Sequence, residues 1–172
     1  MGIEGTLFRD AVNDDLIALL TIQKDAFARY TDLLLPEQIP PLNETLEDIR
    51  KDLKYKSIIA AYVDDSPAGS VRYYNKGGVC ILERLSVAPA LQGKGIGRGL
   101  ITEIEKRVAG VAHKIYLETG LLASNLLMFY SKLGFSGEAI LRRHYGGFDW
   151  IAFSKFMEKG ASTFAGGSKH DP

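Results

Sequence analysis

The stretch from Leu82 to Leu100 constrains this chain more than any other. An apolar run ending in Leu85-Ser86-Val87 stops at Pro89. Gly93, Gly95, Gly97 and Gly99 then alternate with Lys94, Ile96 and Arg98, and a helical pattern begins directly afterwards. A strand, a glycine-rich loop and a helix N-terminus in succession make an anion site, because unshielded amides and the positive end of the helix dipole point the same way. A phosphate or pyrophosphate is the natural guest, with Lys94 and Arg98 adding charge at the rim. Counting removes two common phosphate motifs. A P-loop needs Gly-Lys followed by Ser or Thr, and Lys94 is followed by Gly95. A dinucleotide fingerprint needs G-x-G-x-x-G, and its last position falls on Arg98 or Leu100.

The pattern around this loop alternates between strand and helix. Thr6 to Val12 reads as a strand, and Asn13 and Asp14 offer an N-cap to a helix from Asp15 to about Tyr30, with Leu16, Ile17, Leu20 and Phe27 on one face. Tyr30 to Pro41 reads as irregular, since Pro36, Pro40 and Pro41 block regular helix; it holds the apolar triplet Leu33-Leu34-Leu35. A second helix spans about Asn43 to Lys54, with Leu42, Leu46, Ile49 and Leu53 at amphipathic spacing. Ser57–Val63, Ala68–Tyr74 and Val79–Val87 form a meander, turning at Asp64–Pro67 and at the four residues Asn75–Gly78. The helix after the glycine loop ends at Gly110. A crossover then requires Lys114–Thr119 to run parallel to Val79–Val87. Ser124 or a neighbour caps a helix to Leu133, and Phe135–Tyr145 with Phe148–Met157 form a last hairpin. The order describes a mixed sheet covered by helices.

At 172 residues the chain is expected to form one domain over residues 1–158, with a small, polar, frayed tail over 159–172. A formal net charge of zero argues against nucleic acid and anionic membrane as partners. The single cysteine, Cys80, sits in an apolar run and reads as a core residue; with no disulfide available, a reducing compartment fits. No apolar run has the length of a membrane span and the N-terminus lacks a signal-peptide layout, so a cytoplasmic location is expected. His113 and His144 are isolated and His170 lies in the tail, so no metal set is expected. Trp150 and the pair Tyr73-Tyr74 read as core or sheet-face residues.

What does fit the loop is Gln92-x-x-Gly95-x-Gly97 after a strand and before a helix. The setting Leu85-x-Val87-x-Pro89-x-x-Gln92-Gly93-x-Gly95-Ile96-Gly97 resembles the pyrophosphate motif of the GNAT superfamily of acetyl-CoA-dependent N-acetyltransferases. The second signature of that superfamily is resembled by Phe129-Tyr130-x-Lys132-Leu133-Gly134-Phe135, preceded by Leu117-Glu118-Thr119-Gly120. The resemblance implies an α+β fold: a central mixed, mostly antiparallel sheet of about six or seven strands flanked by about four helices. It implies acetyl-CoA as co-substrate and no metal. The backbone amides of Gly93, Lys94, Gly95, Ile96 and Gly97 would hold the pyrophosphate, Gln92 would brace the loop, and Arg98 would add charge. A bulge or splay beside Leu85, Ser86 and Val87 would leave polar groups for the pantetheine arm to pair with, as an added strand does.

The same resemblance makes Tyr130 the group that donates to the leaving sulfur; the plain alternative is packing beside Phe129. Glu83 is the candidate base, direct or through water. If the meander turns on four residues, Arg72 lies opposite Ile81 and diagonal to Glu83, so an ion pair with Arg72 explains Glu83 equally well. Glu118 is a second acidic candidate. Where many relatives carry a coenzyme-binding asparagine the chain has Ala123, and Asn125 two residues later is a candidate substitute whose role the resemblance leaves open. The acceptor, a primary amine of a small molecule or a peptide, is expected among Tyr30–Leu42, the second helix and Arg142–Gly147, and the last hairpin could pair two copies into a homodimer. Two other readings remain open: an acyl-CoA-binding regulatory module with little turnover, and a transferase using a different acyl donor.

Overall fold

Gly77 and Gly78 set the register of the sheet. In the computed structural model, which describes residues 5–157, both glycines have positive φ (58° and 76°). A two-residue turn of that kind matches the twist of the strands it joins. It closes β3 (Ser66–Lys76) onto β4 (Val79–Val87) with Lys76 opposite Val79. The turn is thus two residues rather than four, and Arg72 faces Glu83, with Tyr74 opposite Ile81.

Seven strands form one sheet in the order β1-β2-β3-β4-β5-β7-β6, where β1 is Leu7–Asp10, β2 Ser57–Val63, β5 Lys114–Gly120, β6 Ser136–Leu141 and β7 Trp150–Phe156. β4 and β5 are parallel, and the other neighbours antiparallel. From Ile58 onward strand β2 is apolar, because both of its faces are covered there. Ile59 and Ala61 join Val71, Cys80, Leu82, Ile115 and Leu117 beneath α4 (Ile96–Val108), whose Ile96, Leu100, Ile101, Ile104 and Val108 point inward. Ile58, Ala60 and Tyr62 turn the other way, onto Leu16 and Leu19 of α1 (Leu16–Ala28) and Ile49 of α3 (Leu46–Tyr55). Cys80 is buried in the first of these layers, which pushes its thiol up to about 12.

Helix starts differ from expectation for local reasons. Asp15, and not Asn13 or Asp14, accepts the Val12 amide (2.7 Å) ahead of α1. Thr45 and Asp48 exchange hydrogen bonds in a capping box, so α3 begins at Leu46 rather than Asn43. Pro40 and Pro41 do not block helix; they open the single turn α2 (Pro40–Asn43), where a missing amide proton costs nothing. The last helix, α5 (Ser124–Lys132), has Ala123 rather than Ser124 in the capping position, without a side-chain cap. The tail over 159–172 lies outside the described residues.

The feature that positions the site is a break in the β4–β5 ladder. Pairing runs from Val79–Lys114 to Leu82–Leu117 and stops. On its other edge, β4 passes from Glu83 opposite Arg72 to Ser86 opposite Ser70, two residues set against Val71 alone. This bulge puts Arg84 at φ 54°, a left-handed conformation rare for a side chain of its size. Beyond it β4 bends away from β5, and the sheet opens.

Candidate active site

Two clefts meet at that opening. The first is a groove floored by the end of β4 and the glycine loop, with Leu85, Ser86, Val87, Gln92, Gly93, Gly95, Ile96, Gly97 and Arg98 in its wall and Asn125 and Phe129 of α5 across from them. Gly95 caps α4 in the left-handed region (φ 88°), and Gly93 is also left-handed (φ 77°). Helix geometry leaves the amides of Ile96, Gly97 and Arg98 without partners in the first turn. Gln92 donates to the carbonyl of Val87 (3.0 Å) and accepts from Arg29 of the chain after α1 (3.2 Å), tying loop, strand and helix together. A Cβ on Gly97 would come within 3.3 Å of Phe129, so even a methyl group here would crowd the ring that α5 brings to α4. The hydroxyl of Ser86 is buried with no hydrogen-bond partner. An orphaned polar atom beside a row of open amides fits a polar, extended, anionic guest.

The second cleft lies on the other side of α5. Tyr130, Ala123 and Leu126 form one wall, and Leu82, Arg84 and Leu85 of β4 face Leu117, Glu118 and Thr119 of β5 across the opening. Phe27, Tyr30, Leu33, Leu34 and residues 38–41 close it from one side, Phe148 and Trp150 from the other. Phe27, Tyr30, Leu85 and Leu126 border both clefts, so the groove leads into the pocket. Tyr130 is 5% exposed, held edge-on between Phe129 and Phe135, with no hydrogen bond to its hydroxyl among the described residues. Burial raises its phenol well above the ordinary range, so the proton stays on.

Glu83 borders neither cleft; its carboxylate binds Lys56 at 2.5 Å. The expected ion pair with Arg72 is absent although the two residues are opposite. Arg72, 1% exposed, turns instead to Glu44 (2.9 Å), Asp52 (2.7 Å) and the side-chain Oε1 of Gln23 (2.7 Å) from α1, α3 and the turn between them. These side chains reach Arg72 from helices packed on its face, which strand register cannot reveal.

A model of the acetyltransferase (GNAT) family matches residues 18–135, which include the glycine loop, the β4 bulge and α5. The chain belongs to that family. It is therefore an acyltransferase of the N-acetyltransferase kind. An uncharacterized N-acetyltransferase of Bacillus subtilis, YjcF, is 28% identical over 113 residues, covering 65% of this chain and 76% of that one. The IAA acetyltransferase of Azospirillum brasilense is 33% identical over 93 residues, covering 53% of this chain and 58% of its own. In fold, PaiA N-acetyltransferase from Thermoplasma acidophilum, solved with coenzyme A, superimposes with a TM-score of 0.76 at 21% identity, over 88% of this chain and 99% of the other.

For a GNAT protein, the structure gathers nearly all of the residues singled out around the loop into one groove. Lys94 is the exception: its side chain is exposed on the loop and outside the groove wall. Asn125 lines the groove, and its amide meets the hydroxyl of Tyr30 (3.3 Å). Of the expected acceptor region, the segment after Tyr30 is there, but α3 and residues 142–147 are not in the pocket wall. Phe148 and Trp150 stand in place of that loop, so Trp150 is a pocket residue rather than a core one. His144 is not isolated: its Nε2 lies 3.1 Å from Glu118, whose other oxygen accepts from Tyr116 (2.7 Å). The sequence alone does not single out Arg84. Its signal, a charged residue inside an apolar strand next to a suspected bulge, was present but unreadable without the register.

Proposed function

We propose that this GNAT protein transfers the acetyl group of acetyl-CoA to a primary amine by direct transfer in a ternary complex. The observation that carries the proposal is the meeting of an amide-lined groove and a tyrosine-walled pocket at the point where β4 leaves β5. The coenzyme supplies a thioester carbonyl as acyl donor. The amides of Gly93 to Gly97, with Arg98 at the rim, hold its pyrophosphate, and Gln92 keeps the loop in shape. Leu85, Ser86 and Val87 present the unpaired edge of β4 and the Ser86 hydroxyl to the arm. Asn125 stands in for the family asparagine replaced by Ala123.

Tyr130 donates a hydrogen bond to the departing sulfur. Its raised phenol makes stabilisation of the thiolate, rather than outright release of the phenolic proton, its larger contribution. Two carboxylates compete for the proton of the acceptor ammonium, Glu83 and Glu118, directly or through water. Glu118 is favoured because it lines the pocket, whereas Glu83 is engaged by Lys56. Much of the acceleration comes from holding amine and thioester together.

Thermal shift with acetyl-CoA and with desulfo-CoA tests the groove; stabilisation by neither would end the proposal. Thiol release against a panel of amines, amino acids and peptides tests transfer. Under saturating coenzyme, Glu118→Gln is expected to cut kcat/KM for the acceptor about a hundredfold, and Glu83→Gln much less. The reverse order would return the base to Glu83.

A further inference from the structure

The pocket wall is largely apolar and aromatic; Gln38 and Thr119 add neutral polar groups, and its two charged residues carry opposite charge. Arg84 stands on the β4 side of the opening and Glu118 on the β5 side. The bulge aims Arg84 there at the expense of a left-handed backbone, a strain that persists where a side-chain position matters. Its Nε donates to Glu44 (2.6 Å), while its two terminal nitrogens make no hydrogen bond among the described residues. Glu44 does not neutralise it alone, because the same carboxylate also binds Arg72 (2.9 Å) and Gln23 (2.8 Å). From Arg72 the ion pairs pass to Asp52, Lys56 and Glu83. The result is an alternating chain of three cations and three carboxylates that begins with a guanidinium at the pocket and ends with Glu83 away from it.

Taking the transfer reading above as its premise, we propose that the acceptor is a free α-amino acid with a bulky apolar side chain. The open edge of the Arg84 guanidinium receives its carboxylate as a planar fork. Glu118, held by Tyr116 and His144, receives its amino group. The side chain packs among Phe27, Leu34, Phe148 and Trp150. A polyamine fits badly, since a guanidinium would face its second cation. A peptide N-terminus fits badly too, because it has no carboxylate beside the reacting nitrogen. In the reaction the ammonium gives up two protons, one on becoming the free base and one as the amide forms. The C–N bond forms as the thioester C–S bond breaks. One proton ends on the coenzyme thiol and the other leaves through Glu118 to solvent, giving the N-acetyl amino acid and coenzyme A.

Trp150 is the sole tryptophan of the chain and lies in the pocket wall, so its emission reads occupancy independently of turnover. With the full chain saturated in desulfo-CoA, L-leucine and L-phenylalanine are titrated against isoamylamine, phenethylamine, L-leucinamide, a leucyl dipeptide and spermidine. A saturable change at least tenfold tighter for the two amino acids than for every other compound is expected. Arg84→Met should reduce that preference to near equality, with the desulfo-CoA thermal shift retained as the check on folding. Equal binding of leucine and isoamylamine, tighter binding of the dipeptide or of spermidine, or no response to either amino acid would overturn the proposal. Thiol release in parallel separates the two readings. Amino acids that bind but release no thiol sink the transfer reading alone, and amines acetylated as fast as amino acids sink the substrate class alone.

Discussion

Tyr130 and Asp15 are both buried, yet one has a polar atom left free and the other has every oxygen occupied. Because the Tyr130 hydroxyl has no hydrogen-bond partner among the described residues, its removal should leave stability nearly unchanged while removing the proposed hydrogen bond to the leaving sulfur. Tyr130→Phe is therefore expected to lower kcat about a hundredfold with an unaltered melting temperature and an unaltered KM for acetyl-CoA; equal kcat in the two proteins would refute the role. Asp15 is the converse case. Burial pushes its carboxyl up, but hydrogen bonds from Arg9, Tyr62 and the Val12 amide outweigh that and hold it at about 2. Free in the unfolded chain it would titrate near the ordinary value of about 3.9. The unfolded state thus takes up this proton first as pH falls. The stabilisation, about 2 kcal/mol, is complete above pH ~4 and is lost as pH falls through ~2. Denaturant melts of wild type and Asp15→Asn should differ at neutral pH and converge toward pH 2. A gap independent of pH would contradict this linkage.

At the scale of elements, the glycine loop and the β4 bulge do different work. The loop is a local device: Gly95 at φ 88° ends it and starts α4, and any side chain there is strained. Gly95→Ala should cost about 1–2 kcal/mol of stability and abolish most of the thermal shift with desulfo-CoA. Full retention of that shift would mean that the loop amides are not what holds the pyrophosphate. The loop could be found from sequence because a run of glycines that opens a helix occupies a few consecutive residues. The bulge could be anticipated only in outline. Its location depends on the register between β3 and β4, and the register depends on Gly77 and Gly78 forming a two-residue turn. Allowing four residues for that turn shifts the strands by two places, which set Arg72 across from Ile81 instead of Glu83. Even the corrected register leaves Glu83 without Arg72, since Glu44, Asp52 and Gln23 reach that guanidinium from outside the sheet.

At the scale of the molecule, the chain of charges from Arg84 to Glu83 links the end of the α2 turn to α3 and two strands, with Arg72 buried at its centre. Removing that guanidinium takes away the cation that Glu44 and Asp52 share, leaving Arg84 to the one and Lys56 to the other. Arg72→Ala should destabilise the fold by about 3–5 kcal/mol, and Arg72→Lys, which keeps the charge but not the fork, by less. A loss below about 1 kcal/mol in the alanine variant would show that water reaches these carboxylates. Family membership, the mixed sheet and the glycine loop follow from the sequence by itself, because period, turn residues and amide-lined loops are specified by neighbours along the chain. The pocket beside the groove was decided by the tertiary structure. Phe27, Arg84, Glu118 and Trp150 lie on four separate elements, and what each can do depends on a strand bending away from its neighbour and on helices competing for its charges. No spacing in the sequence encodes that competition, since its outcome is set by which partners come within hydrogen-bond reach once both faces of the sheet are covered.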